Sequence, residues 1–574
     1  MMTKINEVDL SENGLNPNNL LMLLLPFWTP LTPPMGICTL KSYLEPYGYH
    51  VRTADGNTNP KLWELNRKYF DTLKEFIPVD KQGNFYNIGY NVLRNHLMAY
   101  INNRDQEKHI ELVKILVRTH YYCDITSKQV DVLDEILKSF YSILKMYILD
   151  LLEQEKPRYL GISVFSGTLA PSLFAFQVAK EKYPDMKTVM GGGVFADQLT
   201  MGSPDFDYLV EKTPYIDKFM VGEGYNIWLK YLRGELPEQQ KVYSIKDINS
   251  EVVDIACRIL PDHSDVNVEY YPYLSATGSK SCPFHCSFCN VSKFWGEYRQ
   301  KEPKQTVSEM LDSYKKDKAQ LFFMTDSLLN PIIDNLSYEF RKSNTRLYWD
   351  GYLRAAEPVC NIDNTLLWRR GGFYRARMGV ESGSQHVLDL MGKKITPELS
   401  MRAISSLAYA GIKTTVYIVI GHPGETEEDF QKTLDMIENI KDDIWEAECN
   451  PFLFFYTGQA NSDDWSNKRK LLYPEWAREI LISQTWIYDG EPSREVVYDR
   501  VFRFVEHCNK LGIPNPYTLQ ETYAADERWK KLHRNAVPSV VELEDRDKYI
   551  DDTEHVQKLL LAKQNDDIEE DFDF

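Results

Sequence analysis

The sequence lacks several features, and each absence excludes a class of protein. No apolar run in its 574 residues approaches the ~20 residues that a membrane-spanning helix needs, so no membrane span is expected. Basic residues are in deficit, with 66 Lys and Arg against 84 Asp and Glu and a formal net charge of -18. General nucleic-acid binding is therefore disfavoured, because phosphate contacts need clustered Lys and Arg.

The sequence also predicts neither a secretion signal nor a disulfide framework. Residues 1–19 are polar, and the apolar run Leu20–Leu25 is short and stopped by Pro26, which favours a buried strand. The cysteine count of nine is odd, which disfavours a fully paired set of disulfides. These patterns predict a protein of the reducing cytoplasm.

Three cysteines are nevertheless concentrated in one segment, at Cys282, Cys286 and Cys289, with the spacing Cys-x3-Cys-x2-Cys. A tight loop of this spacing can point three thiolates at one compact cluster, and a [4Fe–4S] cluster takes four ligands, so one iron would keep an open position. Phe288 can lie flat against a planar ring beside that iron. A zinc site with His285 as the fourth ligand is the alternative, although structural zinc usually takes two separated ligand pairs.

The cysteine pattern resembles the signature of radical S-adenosylmethionine (SAM) enzymes. In that family the amino and carboxylate groups of SAM bind the open iron, and an electron from the cluster cleaves SAM to a 5′-deoxyadenosyl radical. The resemblance implies Cys282, Cys286 and Cys289 as cluster ligands, with SAM as a second cofactor.

In the N-terminal half, apolar strand candidates end in small residues, as expected where backbone must approach a ligand closely. These segments resemble the cobalamin-binding, Rossmann-like domain that precedes the radical SAM domain in one large subclass. The resemblance implies cobalamin as a cofactor. The residues predicted to contact it are Pro34, Gly36, Ser163, Ser166, Gly167, Gly191, Gly192, Gly193, Gly222, Glu223 and Gly224.

One motif of other cobalamin proteins is absent. None of the 11 histidines has an aspartate two places before it, so there is no Asp-x-His-x-x-Gly sequence to supply a lower cobalt ligand. The lower face of the cobalt is therefore expected to carry water, a loop residue or nothing.

Downstream of the cysteines, short β-rich segments alternate with helical ones, which favours a parallel barrel with ligands at the strand carboxyl ends. The downstream strand candidates are Leu321–Asp326, Arg346–Gly351, Tyr374–Glu381, Thr414–Gly421 and Phe452–Phe455. With Tyr270–Thr277, a strand candidate that enters the cysteine loop, they make six, of which Phe452–Phe455 is the sixth.

Motifs at these strand ends extend the resemblance to the radical SAM family. Glu381 and Ser382 would lie near the ribose and amino acid of SAM, while Gly421, in Gly-x-Pro-Gly-Glu-Thr, would let backbone pass beneath adenine. Arg354 and Arg377 are candidates for the SAM carboxylate, with surface salt bridges as the alternative, and Asp326 is a candidate for the SAM amino group.

The predicted fold class is α/β: a Rossmann-like doubly wound domain with a helical insertion, then a partial (β/α)6 barrel and a mainly helical C-terminal region. The predicted boundaries are an extension at 1–19, the cobalamin domain at 20–240 with the insertion at 60–156, a linker at 241–269, the barrel at 270–460 and a helical region with an acidic tail at 461–574. An apolar stripe that recurs at spacings of three and four residues from Leu133 to Leu151 predicts the helical insertion. Further helical patterns occur around Trp476–Tyr488 and Val497–Leu511.

The resemblance implies a methyltransferase acting on an unactivated carbon or phosphorus of a peptide or natural-product precursor. Flavodoxin or ferredoxin would serve as the external electron donor. Two alternatives remain: a radical rearrangement or cyclisation that uses cobalamin without methyl transfer, and a non-catalytic cobalamin and iron–sulfur redox sensor.

Overall fold

The structure is a computed structural model, and it describes residues 15–29, 31–196, 199–456, 465–483, 485–515 and 519–570. The chain divides into two compact units, one made of Met1–Tyr270 with Phe454–Tyr488 and the other of Tyr271–Leu453 with Asp489–Phe574. Most of the predicted N-terminal extension and the last residues of the acidic tail lie outside the described residues. No helix in the described ranges is long and apolar enough to cross a membrane.

The first unit is built on a six-stranded parallel sheet with the order β2-β1-β3-β4-β5-β6. The strands are β1 (Asn16–Leu24), β2 (His50–Asp55), β3 (Pro157–Ser163), β4 (Lys187–Gly191), β5 (Lys218–Val221) and β6 (Val242–Ser244). The helices that connect these strands are α1 (Met35–Leu44), α6 (Leu169–Lys182), α7 (Pro204–Lys212) and α8 (Gly224–Leu232). Strand order reverses at β1 and β3, where doubly wound folds bind ligands at the carboxyl ends.

The predicted strand after the polar N-terminus is confirmed, and it is deeply buried. Leu20 to Leu25 are at most 1% exposed, as expected for a parallel strand that is covered on both faces. The strand begins earlier than the apolar run, at Asn16.

Helices are inserted between β2 and β3, as the apolar stripe predicts. They are α2 (Pro60–Phe76), α3 (Phe85–Ile101), α4 (Gln106–Tyr121) and α5 (Ser127–Glu155). Helix α5 begins at a capping box formed by Thr126 and Gln129, and its stripe residues Leu133, Phe140 and Leu144 are buried. The apolar stripe of α5 therefore belongs to the core between the packed helices.

The second unit contains another six-stranded parallel sheet, with the order β7-β10-β11-β12-β13-β14. Its strands are β7 (Leu274–Ala276), β10 (Leu321–Met324), β11 (Tyr348–Leu353), β12 (Phe373–Glu381), β13 (Lys413–Ile420) and β14 (Glu446–Pro451). A two-stranded ribbon, β8 (Ser279–Lys280) with β9 (Arg299–Gln300), flanks the cysteines. The helices are α9 (Val291–Trp295), α10 (Pro303–Asp317), α11 (Ile333–Lys342), α12 (Glu357–Cys360), α13 (Ile362–Arg370), α14 (Gln385–Leu390), α15 (Pro397–Tyr409) and α16 (Glu427–Asn439). The predicted α/β class with two parallel sheets is confirmed.

The position predicted for the sixth strand of this sheet is wrong. The strand is Glu446–Pro451, and the aromatic run Phe452–Phe455 follows it. Acidic residues usually indicate a surface segment, but here the buried Glu446 pairs with Arg375 and accepts a hydrogen bond from Thr415 at 2.7 Å. A charge partner two strands away, on β12, therefore lets an acidic residue begin a buried strand.

The C-terminal region is less helical than predicted near its start. Instead of a helix around Trp476–Tyr488 there is a short hairpin, β15 (Arg469–Leu471) with β16 (Trp486–Tyr488), and a 3₁₀ segment at Glu475–Ile480. The later residues form α17 (Arg494–Lys510), α18 (Leu519–Leu532), α19 (Val540–Glu544) and α20 (Thr553–Glu570).

A buried ion pair joins the C-terminal helices to the second sheet. Lys413 Nζ on β13 lies 2.6 Å from Asp526 Oδ1 on α18, with both side chains at most 2% exposed. Asp526 also accepts hydrogen bonds from Trp445 Nε1 at 3.0 Å and from the backbone N–H of Val540 at 2.7 Å. One carboxylate therefore satisfies three buried donors.

Replacing Asp526 with Ala is expected to lower the free energy of unfolding by about 3–5 kcal/mol, because it leaves the Lys413 ammonium buried without its partner. Denaturant titration followed by circular dichroism would measure this loss. The control is Glu357→Ala at the exposed pair with Arg402, which should change stability by less than about 1 kcal/mol. An unchanged Asp526→Ala protein would contradict the assignment.

Candidate functional site

The cysteine loop, Ser281–Asn290, leaves the β8–β9 ribbon through a residue with left-handed backbone. Ser281 has φ +71°, and its hydroxyl donates to the carbonyl of Gly296 at 2.7 Å. Cys282, Cys286 and Cys289 are each partly buried, and none forms a disulfide. Burial raises the pKa of Cys282 and of Cys289. The loop is thus anchored at its start while its thiols stay accessible.

The predicted SAM-site residue Asp326 lies directly behind this loop. Its carboxylate is fully buried and accepts hydrogen bonds from the backbone N–H of Gly278 at 2.9 Å and from Ser279 Oγ at 2.6 Å. Burial raises the pKa of Asp326 to about 6. In this structure Asp326 holds the strand that leads into the cysteines.

Arg354 lies against the cysteines themselves. Its guanidinium Nη1 is 3.7 Å from Cys286 Sγ, and its Cζ is 4.2 Å from the centroid of the Phe284 ring. The backbone N–H of Arg354 donates to Asn330 Oδ1 and its carbonyl accepts from Asn330 Nδ2, each at 2.9 Å. From the sequence, Arg354 is a candidate ligand of the SAM carboxylate. The structure shows in addition that its guanidinium cation lies beside the Cys286 thiol.

A second cation in this site, Lys393, was missed from the sequence. Its Nζ lies 2.6 Å from Glu381 Oε1 and 5.7 Å from the centroid of the Phe288 ring. The two residues are twelve positions apart, a spacing that follows no helix or strand period, so no sequence signal paired them. Their ion pair links the end of β12 to the cysteine loop.

The backbone at Glu381 is shaped to aim this carboxylate. Glu381 has φ +70°, and the pairing of β12 with β13 shifts register between Gly379 and Glu381. Such irregularities re-aim side chains and are frequent beside active sites. A Cβ at Gly379 would lie 2.4 Å from Glu381 Oε1 and 3.1 Å from Lys393 Nζ, so only glycine leaves room for the ion pair.

Three other predicted residues have partners within the protein. Arg377 is buried, and its Nη2 lies 2.7 Å from Asp350 Oδ2. Ser382 Oγ accepts from the backbone N–H of Ser384 at 3.1 Å. Gly421 has φ +82° and its N–H donates to Glu425 Oε2 at 2.9 Å. Arg377 lies in the middle of β12, whereas Ser382 and Gly421 directly follow β12 and β13; the roles of all three toward SAM remain predictions.

The cysteine loop fits an iron–sulfur cluster on chemical grounds. Three thiols that form no disulfide lie together in one short loop, and the Arg354 cation is within reach of Cys286. A cation beside thiolate ligands offsets part of the negative charge that such a cluster carries. His285, the alternative zinc ligand, has its Nδ1 3.3 Å from Ser292 Oγ.

In the first unit, the predicted residues Gly36 and Ser163 lie together where strand order reverses. Gly36 follows Pro34 at the start of α1, and Ser163 ends β3. A Cβ at Gly36 would meet only Ser163 Oγ, at 4.0 Å, so the protein's own packing does not require glycine there. Open space at the β1–β3 switch point suits the close approach of a ligand.

Some of the other glycines predicted to contact cobalamin are required by the protein's own packing. Gly192 has φ +109°, and a Cβ there would lie 2.4 Å from backbone atoms of Val164, so packing alone requires glycine. Gly167 and Gly193 are similarly crowded, by Phe27 and by Phe165. The remaining predicted positions lie at the ends of β4 and β5 or just beyond β3: Ser166, Gly191, Gly222, Glu223 and Gly224.

Replacing Arg354 with Gln is expected to lower the reduction potential of a cluster held by the cysteines, by on the order of 50 mV, because a nearby cation stabilises the added electron. Potentiometric titration followed by electron paramagnetic resonance would measure the shift. Arg354→Lys keeps the positive charge, so its reduction potential should stay closer to the wild-type value than that of Arg354→Gln. The exposed Arg402→Gln should leave the reduction potential unchanged. Equal potentials in the Arg354→Gln and wild-type proteins would contradict this electrostatic role.

Comparisons with known proteins agree with this geometry. Residues 278–437 match the family model described as the radical SAM superfamily. The anaerobic magnesium-protoporphyrin IX monomethyl ester cyclase of Rubrivivax gelatinosus is 26% identical over 319 residues, which cover 50% of this chain and 55% of that protein. The chain spans about half the length of the curated cyclases that it matches.

Two solved structures of the radical SAM methyltransferase TsrM from Kitasatospora setae share the fold across most of the chain. The structure with cobalamin and a [4Fe–4S] cluster bound has a TM-score of 0.57 at 14% identity and covers 90% of this chain and 99% of that one. The structure with tryptophan and a SAM analogue has a TM-score of 0.59 at 15% identity and covers 86% and 89%. Residues 278–437 therefore match the radical SAM superfamily, and the chain shares its fold with the TsrM structures.

Proposed function

We propose that this protein is a cobalamin-dependent radical SAM methyltransferase that acts on an unactivated carbon or phosphorus of a peptide or natural-product precursor. The observation that carries the proposal is the grouping of the three cysteines with Arg354, Glu381 and Lys393 in the radical SAM domain. The first unit adds a second parallel sheet with an open switch point. The shared fold with TsrM supports the combination.

Cys282, Cys286 and Cys289 would hold a [4Fe–4S] cluster, which would supply an open iron for SAM and the electron for its cleavage. Arg354 would balance the negative charge of the cluster from the Cys286 side. Asp326 would keep the loop in place through its bonds to Gly278 and Ser279. The chain's own share is therefore charge balance and positioning.

Glu381 and Lys393 would set the orientation of SAM. A carboxylate accepts hydrogen bonds from ribose hydroxyls, and the ion pair with Lys393 keeps Glu381 ionised and fixed. Phe288, beneath the Lys393 ammonium, would lie flat against the adenine or the sulfonium side of SAM. Ser382 and Gly421, which follow β12 and β13, and Arg377 within β12 would complete the predicted SAM site.

In the first unit, Gly36, Ser163 and the glycines that end β4 and β5 would hold cobalamin, which supplies the methyl group for transfer. None of the histidines has the aspartate spacing of a lower cobalt ligand, so this unit would bind cobalamin through backbone approach and shape. Flavodoxin or ferredoxin would deliver the electrons in a reducing cytoplasm.

A second candidate is a radical cyclisation or rearrangement in which cobalamin donates no methyl group. The observation in its favour is the 26% identity to a magnesium-protoporphyrin IX monomethyl ester cyclase. Both candidates use the same cluster and SAM site, so the difference lies in what happens to the methyl group of SAM.

Reduced protein, reconstituted with cluster and cobalamin and given SAM with a deuterated methyl group, separates the candidates. A methyltransferase is expected to form 5′-deoxyadenosine and S-adenosylhomocysteine together and to label its product by mass spectrometry. A cyclase would form 5′-deoxyadenosine with no transfer of label. Cys286→Ala is the inactive control, since it removes a cluster ligand. If wild type gives neither 5′-deoxyadenosine with any substrate tried nor methylated cobalamin, the enzyme proposal is refuted.

Gly36 offers a graded test of the cobalamin site. Gly36→Ala adds a methyl group where there is room and should retain cobalamin, whereas Gly36→Leu should fill the space beside Ser163 and lower cobalamin retention at least about 10-fold. Cobalt content after anaerobic gel filtration, with circular dichroism as the folding control, measures the effect. A folded Gly36→Leu protein with full cobalt content would contradict the placement.

A further inference from the structure

The helical insertion of the first unit contains a cluster of buried polar side chains that the proposed function does not use. His96 on α3, His109 on α4 and Asp134 on α5 meet in the core of these helices. His96 Nε2 lies 2.8 Å from Asp134 Oδ1, and His109 Nε2 lies 2.9 Å from the same oxygen. Both imidazoles are fully buried, and the Asp134 side chain is 15% exposed.

The charge of this cluster is not balanced by an amino-acid cation. Within the described residues no lysine or arginine pairs with Asp134, whose only charge partners are the two imidazoles. The partly buried Asp134 carboxylate is compensated by hydrogen bonds from the two imidazoles and by no permanent side-chain cation among the described residues. A bound metal ion would supply the missing positive charge.

The geometry suits one ion shared by three ligands. The ligand atoms all lie within 4.8 Å of one another, and the imidazole centroids are 5.6 Å apart. Metal–nitrogen bonds of about 2.0 Å at a tetrahedral angle place two ligand atoms roughly 3.3 Å apart and two imidazole centroids roughly 5 Å apart. Small side-chain shifts would therefore admit an ion.

The surroundings of His96 match those of a metal ligand. Its other ring nitrogen, Nδ1, lies 2.9 Å from the hydroxyl of the buried Tyr69. Ligating histidines almost always bond through the second nitrogen to an outer partner that orients the ring. The buried Nδ1 of His109 has no such partner among the described residues.

We infer that His96, His109 and Asp134 bind one divalent transition-metal ion of the zinc or iron(II) class, with a fourth position for water. Two imidazoles and one carboxylate are the donors that such borderline cations take. Metal sites of helix bundles are built in this way, from side chains on facing helices. The inference stands independently of the reaction proposed above.

The ion would fix α3 relative to α4 and α5, and α3 carries residues of a cavity in the same unit. Arg94, Asn95 and Met98 line this cavity together with Ser166 and Val194, which follow β3 and β4. The metal site therefore positions the helix that faces the predicted cobalamin-binding strand ends.

Zinc binding to the full-length, cluster-loaded protein tests the inference, because the cluster occupies the three cysteines. Elemental analysis after zinc addition and gel filtration should find one zinc per chain. His109→Gln and Asp134→Asn should lose it. Tyr69→Phe, which removes only the outer partner of His96, should weaken zinc binding about 10–100-fold.

The matched control is His120→Gln, a buried histidine on the same helix α4, whose Nε2 lies 3.0 Å from the hydroxyl of Tyr473. This variant should retain the zinc. The wild-type protein gives a second readout that needs no variant: removal of zinc by a chelator should lower its melting temperature. The inference is overturned if the cluster-loaded wild type takes up neither zinc nor iron(II) at this site and the chelator leaves its melting temperature unchanged. The three side chains would then be a structural hydrogen-bonded triad that joins the helices.

Discussion

Parallel strand pairing is the constraint on which the rest of this structure depends. In each six-stranded sheet all strands run in one direction, so every strand delivers its carboxyl end to the same edge. Residues far apart in sequence, such as Cys286 and Arg354, or Gly36 and Ser163, therefore come within contact distance. The helices between strands supply the covering layers, and the strand ends are left for chemistry.

Several buried charges of the second unit form ion pairs with one another. An ion pair determines how much of a side chain's charge is available to a ligand. Arg377 is neutralised by Asp350, and Glu381 by Lys393. Arg354 is the cation that lies against a cysteine, and its guanidinium also stacks on Phe284. Of the two arginines proposed for the SAM carboxylate, Arg354 is therefore the better placed, because the charge of Arg377 is already engaged by Asp350.

Local sequence patterns predicted most of the secondary structure. They failed where a contact with a residue distant in sequence determines the local structure. The buried strand at Leu20, the helical insertion and five of the strands of the second sheet follow hydrophobic patterning. The sixth strand was misplaced because Glu446 looks like a surface residue until Arg375 is beside it. The hairpin around Trp486 was predicted as helix because the strand pairing that forms it joins segments more than a dozen residues apart.

The sequence by itself determined the chemistry that is available: three clustered cysteines, glycine-rich strand ends and motifs of the radical SAM family, all of which are local in the chain. Only the tertiary structure decided which of these groups meet. Tertiary packing brings together residues from separate elements, which no local pattern encodes. It pairs Lys393 with Glu381, leaves open space at Gly36, and joins His96, His109 and Asp134 from three helices. The physical reason is that side-chain contacts between elements are set by packing, whereas sequence periodicity reports only which face of one element is buried.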